Sequence, residues 1–154
     1  MNVALFFHVL GVVVWVGGMF FAYLALRPIA ASVLEPPQRL TLWRGVFGRF
    51  FPWVWISVLL ILVSGLWMFV LMGAGNAPVY VHAMFGLGLL MMLIFAHVFF
   101  APYRRLKRAV AGEDWKAGGA ALAQIRKLIG LNLTLGLITV AVGMLGRLLA
   151  GYLG

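Results

Sequence analysis

The sequence predicts an all-α fold: an integral membrane four-helix bundle, up-down-up-down, with both termini periplasmic. Three observations predict it. First, Met1 to Leu26, the run between Arg49 and Arg104, and Leu128 to Gly146 carry no Lys, Arg, Asp or Glu. A bilayer core takes about 20 apolar residues per helix, so these windows hold one, two and one spans. Second, 65% of the 154 residues are hydrophobic and 10% are charged. Soluble domains carry about a quarter charged residues, and one of this size has no interior large enough to hide so much apolar surface. Third, the basic residues sit at the edges of the spans. The first loop has Arg27, Arg39, Arg44 and Arg49, and the second has none. The third has Arg104, Arg105, Lys107, Arg108, Lys116, Arg126 and Lys127, and the tail has Arg147. The positive-inside rule puts loops one and three in the cytoplasm.

The net charge of +9 is thus a topology signal, and nucleic acid is excluded as a partner. The partner it implies is the lipid bilayer. The absence of cysteine excludes disulfides, thiolate metal sites and thiol catalysis. The whole of 1–154 is expected to be a single domain.

The first span is expected over about 3–26. It lacks a basic leader and its apolar run is long for a signal peptide, so it reads as a retained helix. Pro28 is expected to end it, because proline disfavours helix in the residue before it. A loop with Pro36-Pro37 and an interfacial Arg/Trp/Phe-rich approach then leads to span two, about 52–72. The Gly73 to Pro78 turn is short and uncharged. Span three is expected over about 79–101, stopped near Pro102. The basic third loop, with a short surface helix over Asp114 to Lys127, leads to span four, about 128–149.

In lipid, small and polar residues mark the packed face of a helix. Spacings of three and four place residues on one stripe. Span one offers Ala4, His8, Gly11, Trp15, Gly18, Ala22 and Ala25. Span two offers Ser57, Ile61, Ser64 and Met68. Span three offers His82, Gly86, Leu89, Leu93 and, drifting off the stripe, His97. Span four offers Asn132, Gly136, Thr139, Gly143, Gly146 and Ala150. Ala4, Gly11, Gly18 and Ala25 serve a homodimer as readily as the bundle interior.

All three histidines fall in or at the edge of spans. His8 and His82 are each a few residues from the outer end of their spans, in the outer leaflet at similar depth. His97 is about 22 Å deeper at 1.5 Å per residue. Neutral imidazole is a common ligand of metals and of haem iron. Two histidines at one depth on facing helices can clamp one iron, and Gly11, Gly86, Gly143 and Gly146 would give a macrocycle bare helix faces. Arg147 is the outer-side cation available to haem propionates. Copper is the rival, since Cu(I) takes imidazole and thioether ligands, and Met68, Met72 and Met84 lie at the same end. A secondary cytoplasmic-side site is conceivable where His97, Asn132 and Tyr23 approach the Arg44/Arg49 pair, for an anionic head group or porphyrin carboxylates. No carboxylate lies within a span and there is no phosphate-cradling glycine loop, so hydrolase and NTPase chemistry have no support.

The run from His8 through Trp15, Val16, Gly17, Gly18 and Phe20 to Arg27-Pro28 resembles the first span of the copper-resistance protein D (CopD) family. So does the close of the chain, Arg126 to Asn132 and Gly136, running on to Val142-Gly143. His82 opening span three fits the same pattern. The resemblance implies a multi-pass protein of the bacterial inner (plasma) membrane, with His8 and His82 as metal or haem b ligands. Its work would be copper handling or transmembrane electron transfer, with a periplasmic copper or redox partner. Related HemJ-type protoporphyrinogen oxidases carry His-x-Lys at the start of span three. This chain has His82-Ala83-Met84, and the missing lysine counts against that haem-dependent oxidoreductase activity. A structural membrane subunit with no cofactor is the third reading.

Overall fold

The structure, a computed structural model, describes residues 2–152; Met1, Leu153 and Gly154, the ends of the expected domain, lie outside them. Its elements are α1 (Asn2–Phe21), a wide π turn (Ala22–Leu26), α2 (Arg27–Val33), α3 (Pro36–Leu71), a 3₁₀ turn (Ala74–Asn76), α4 (Val79–Phe100), α5 (Pro102–Ala111) and α6 (Trp115–Tyr152). Four helical stretches of 32 to 36 residues, beginning at Asn2, Pro36, Val79 and Trp115, are long and apolar enough to cross a membrane. The all-α four-helix fold class expected from the charge-free windows is the one observed.

The helices are longer than the windows. α3 has 36 residues, about 54 Å of helix against about 30 Å of hydrocarbon. Its excess lies toward Pro36, because the Gly73–Pro78 turn at its other end joins two apolar runs directly. We call these the basic end and the turn end. The expected first loop is mostly helical: only Leu34 and Glu35 separate α2 from α3. Pro28 does not end the first helix, a correction to the sequence expectation. The Arg27 N–H bonds back to Ala22 O, five residues away. This widened turn precedes Pro28 in the opening turn of α2, and the helix passes the residue that lacks an N–H by way of the π bulge. Pro36 and Pro37 open α3, where a missing N–H costs nothing. Pro102 does interrupt its helix, as expected. Ala101 swings to φ −110°, ψ −84°, and α5 restarts at the proline.

Two helix pairs build the bundle: α1 lies along α3, and α4 along α6, with α5 folded back on α6. Gly11 and Gly136 allow close approach. A Cβ on Gly11 would come within 2.9 Å of Ile61 on α3, and one on Gly136 within 3.0 Å of Val16 and 3.1 Å of Met91. The pairs are joined by an aromatic core at the basic end. Phe51 stacks on Phe47, with centroids 5.0 Å apart, and meets Tyr103 edge-on at 4.9 Å and Phe95 at 5.4 Å. Phe95 also takes the edge contacts of Trp15 at 6.0 Å and Trp55 at 5.1 Å. Such pairs add about 0.5–1.5 kcal/mol each beyond area burial. α5 closes this end. Tyr103, Leu106, Ala109 and Val110 are buried while Arg104, Arg105, Lys107 and Arg108 are exposed, and Arg105 donates to Gln124 of α6 at 2.9 Å.

Candidate functional site

From Val63 to Met72, the residues of α3 and its cap that are not exposed are Ser64, Gly65, Met68, Phe69 and Met72. These positions form one stripe on a helix of 3.6 residues per turn. Both turn-end histidines meet this stripe.

His8 comes from α1 and is half-buried. Gly65 makes its seat: a Cβ there would lie 3.1 Å from the imidazole Cε1. Its Nδ1 is 3.1 Å from Ser64 Oγ. The Ser64 hydroxyl has one proton and donates it to the Leu60 carbonyl. With the hydroxyl proton directed there, Ser64 Oγ accepts from His8, an arrangement that places the imidazole proton on Nδ1. The Nε2 lone pair is left free.

His82 comes from the first turn of α4. Its Nδ1 is 3.3 Å from the Pro78 carbonyl. A carbonyl only accepts, so Nδ1 is again the protonated nitrogen and Nε2 is free. The ring stands edge-on to Phe69, centroids 5.2 Å apart, and is exposed. The two imidazoles meet α3 rather than each other. Their seats, Gly65 and Phe69, are one turn apart on one stripe, about 6 Å along the axis.

Of the soft side chains, Met68 and Met72 are half-buried on the same stripe. Met84 points elsewhere. Its Sδ packs 3.0 Å from where a Cβ of Gly143 would stand, between α4 and α6. The glycine faces expected to receive a flat macrocycle are largely covered: Gly11 by Ile61, Gly143 by Met84 and Gly146 by the Tyr80 ring, with Gly86 open. Arg147 is exposed beside Gly146. Among the described residues, no three His, Cys, Asp or Glu side chains come together as a metal-binding group. Any ion at the stripe would have to draw on thioethers as well as imidazoles.

The residues grouped at the basic end separate. Tyr23 lines a cavity of about 530 Å³ there; His97 and Asn132 do not. His97 is exposed on α4. Asn132 is buried, with Oδ1 lacking a partner. Arg44 and Arg49 are exposed and off the cavity wall, which instead holds Arg27, Arg39 and Arg126.

Sequence reasoning placed Ser64 and Met68 on the packed face of span two but missed Ser64 as the partner of His8, and missed Gly65 and Phe69 as seats. The available signal was the i, i+4 recurrence Ser64–Met68–Met72 beside Gly65–Phe69. It becomes meaningful only once α1 is known to lie on α3.

The family model described as Copper resistance protein D matches residues 44–145, more than half of the chain. No curated protein and no solved structure matches.

Proposed function

This chain belongs to the copper resistance protein D family, and on that premise we propose that it is a multi-pass membrane protein that takes a copper ion as cargo on the turn-end stripe of α3. His8 and His82 supply Nε2 lone pairs, and Met68 and Met72 supply thioethers. The observation that carries this reading is that both imidazoles engage the protein through Nδ1. Nδ1 of His8 lies against Ser64 Oγ and Nδ1 of His82 against the Pro78 carbonyl, an arrangement that leaves Nε2 of each ring for a metal. Partners of this kind orient ligating histidines and raise their basicity. Neutral imidazole and thioether are the donor set Cu(I) prefers. The covered faces of Gly11, Gly143 and Gly146 favour a single ion over haem b at this end.

On the positive-inside rule the basic end faces the cytoplasm and the stripe faces the periplasm of a bacterial inner membrane. A periplasmic copper carrier is the partner this arrangement implies.

The test is Cu(I) affinity of the detergent-purified chain, measured by competition with a chromogenic chelator. About one ion per chain is expected, and His8→Ala and His82→Ala should each weaken binding by about a hundredfold, since loss of a direct ligand costs at least the upper end of the 10–100-fold typical of outer-shell partners. Unchanged affinity in both variants would overturn the assignment. A Soret band in the purified protein would transfer the site to haem.

A further inference from the structure

The cavity at the basic end has a chemistry of its own. Its walls come from the π turn and α2, the first turns of α3, and the first half of α6. Three guanidinium-bearing residues line it, Arg27, Arg39 and Arg126, one from each wall. None of the chain's acidic residues lines it: Glu35 precedes α3, and Glu113 and Asp114 form the turn before α6. Three cations around one space without a counter-charge repel one another unless an anion joins them.

The rest of the wall is aromatic and apolar. The Arg27 guanidinium sits 4.7 Å from the Tyr23 ring centroid. Trp43 and Trp115 face the same space, and Leu40, Phe47, Leu122 and Ile129 continue it toward the apolar interior. The depth is that of a lipid headgroup. Arg27 directly follows the first charge-free window, and Arg126 stands two residues before the last one. Pro36 also lines the cavity, so the start of α3, which has no side-chain cap, adds the positive end of a long helix dipole.

We propose that this cavity is the headgroup site of an anionic phospholipid, its phosphate held by Arg27, Arg39 and Arg126 and the head of its acyl chains lying along Leu122 and Ile129. A phosphate ion alone matches the cations but leaves the apolar wall and most of about 530 Å³ unused. Basic pockets between membrane helices bind anionic headgroups in this manner.

Native mass spectrometry of the full chain released from neutral detergent tests it, with dioleoylphosphatidylglycerol, dioleoylphosphatidylcholine and inorganic phosphate as probes. One phosphatidylglycerol should survive release in clear preference to phosphatidylcholine. Arg39→Gln and Arg126→Gln should each lower its retention by about fivefold, the worth of one basic residue at a lipid surface. Arg147→Gln, at the other end, should leave it unchanged. Each variant's unfolding temperature in phosphatidylcholine micelles should stay at that of the parent, which separates a lost site from a lost fold. Equal retention of the two lipids, or retention unaffected by both arginine variants, overturns the proposal. Displacement of phosphatidylglycerol by millimolar inorganic phosphate also overturns it, in favour of a soluble anion. Copper affinity is read at the opposite end and is expected to stay constant in every variant, so the two sites stand or fall separately.

Discussion

At the basic end, Phe47, Phe51, Phe95 and Tyr103 are each 5% exposed or less. At the turn end, across 2–14, 62–72, 79–90 and 139–149, only Gly11 and Ser64 among the described residues are buried, and neither carries a large side chain. In lipid, apolar side chains gain little by leaving the solvent, so helices associate through packing contacts and hydrogen bonds. The basic end supplies those contacts with interlocked rings. The turn end supplies few, and it is where the imidazoles and thioethers gather. Fold stability and donor chemistry therefore occupy opposite halves of the same helices, and substitutions in one half should leave the other's measurement almost untouched.

Four experiments would break or sharpen that division. The largest effect is expected from Phe51→Ala, which removes the ring common to five aromatic partners; it should lower unfolding free energy in detergent by about 3–5 kcal/mol. Copper affinity per folded chain should hold, and a fall in parallel with stability would show that the halves are coupled. Next comes His8→Ala, with its loss of about a hundredfold in Cu(I) affinity and an unfolding temperature close to the parent's. A large drop in stability instead would mean that the His8–Ser64 bond is a structural link and not a tautomer lock. Third, Ser64→Ala frees the His8 Nδ1 proton and should weaken Cu(I) by about tenfold, while Ser64→Thr, which keeps the hydroxyl, should recover most of it. The smallest effect is expected at Gly86, where a Cβ meets nothing within 4 Å. Gly86→Ala should be neutral or stabilise by up to about 1 kcal/mol through helix propensity. Gly136→Ala, against Val16 and Met91, should be destabilising. If the two glycines behaved alike, the contrast between open and packed faces would fail.

The sequence made the number of helices and the fold class legible because charge is intolerable in hydrocarbon whatever the packing. It did not make the ends of the helices legible. Arg27 to Arg49 looked like a loop because of its charges and prolines, yet charge marks where lipid stops and says nothing of where hydrogen bonding stops. Pro36 and Pro37 stand at a helix start, where proline is tolerated; Pro28 follows a widened turn within a continuing helix, while Pro102 follows the break at Ala101 and opens α5. For the histidines, counting residues from the window edges gave the depth of His8 and His82. Which surface each ring meets depends on the pairing of α1 with α3, and that follows from long-range packing no local pattern encodes. The same gap explains the arginines at the basic end. Arg44 and Arg49 had been grouped with Tyr23, but Arg27, Arg39 and Arg126 share its cavity, because facing helix walls bring distant segments together.

The widened turn at Ala22–Leu26 has a consequence for how this architecture can vary. A single surplus residue per turn advances everything downstream by about 100° of rotation. Arg27 owes its heading to that phase offset. Deleting one residue from the turn would rewind the segment, carry the guanidinium to another bearing, and leave the upstream histidine where it was. Length changes at this spot would act as a dial on one extremity of the molecule while the other stays in register.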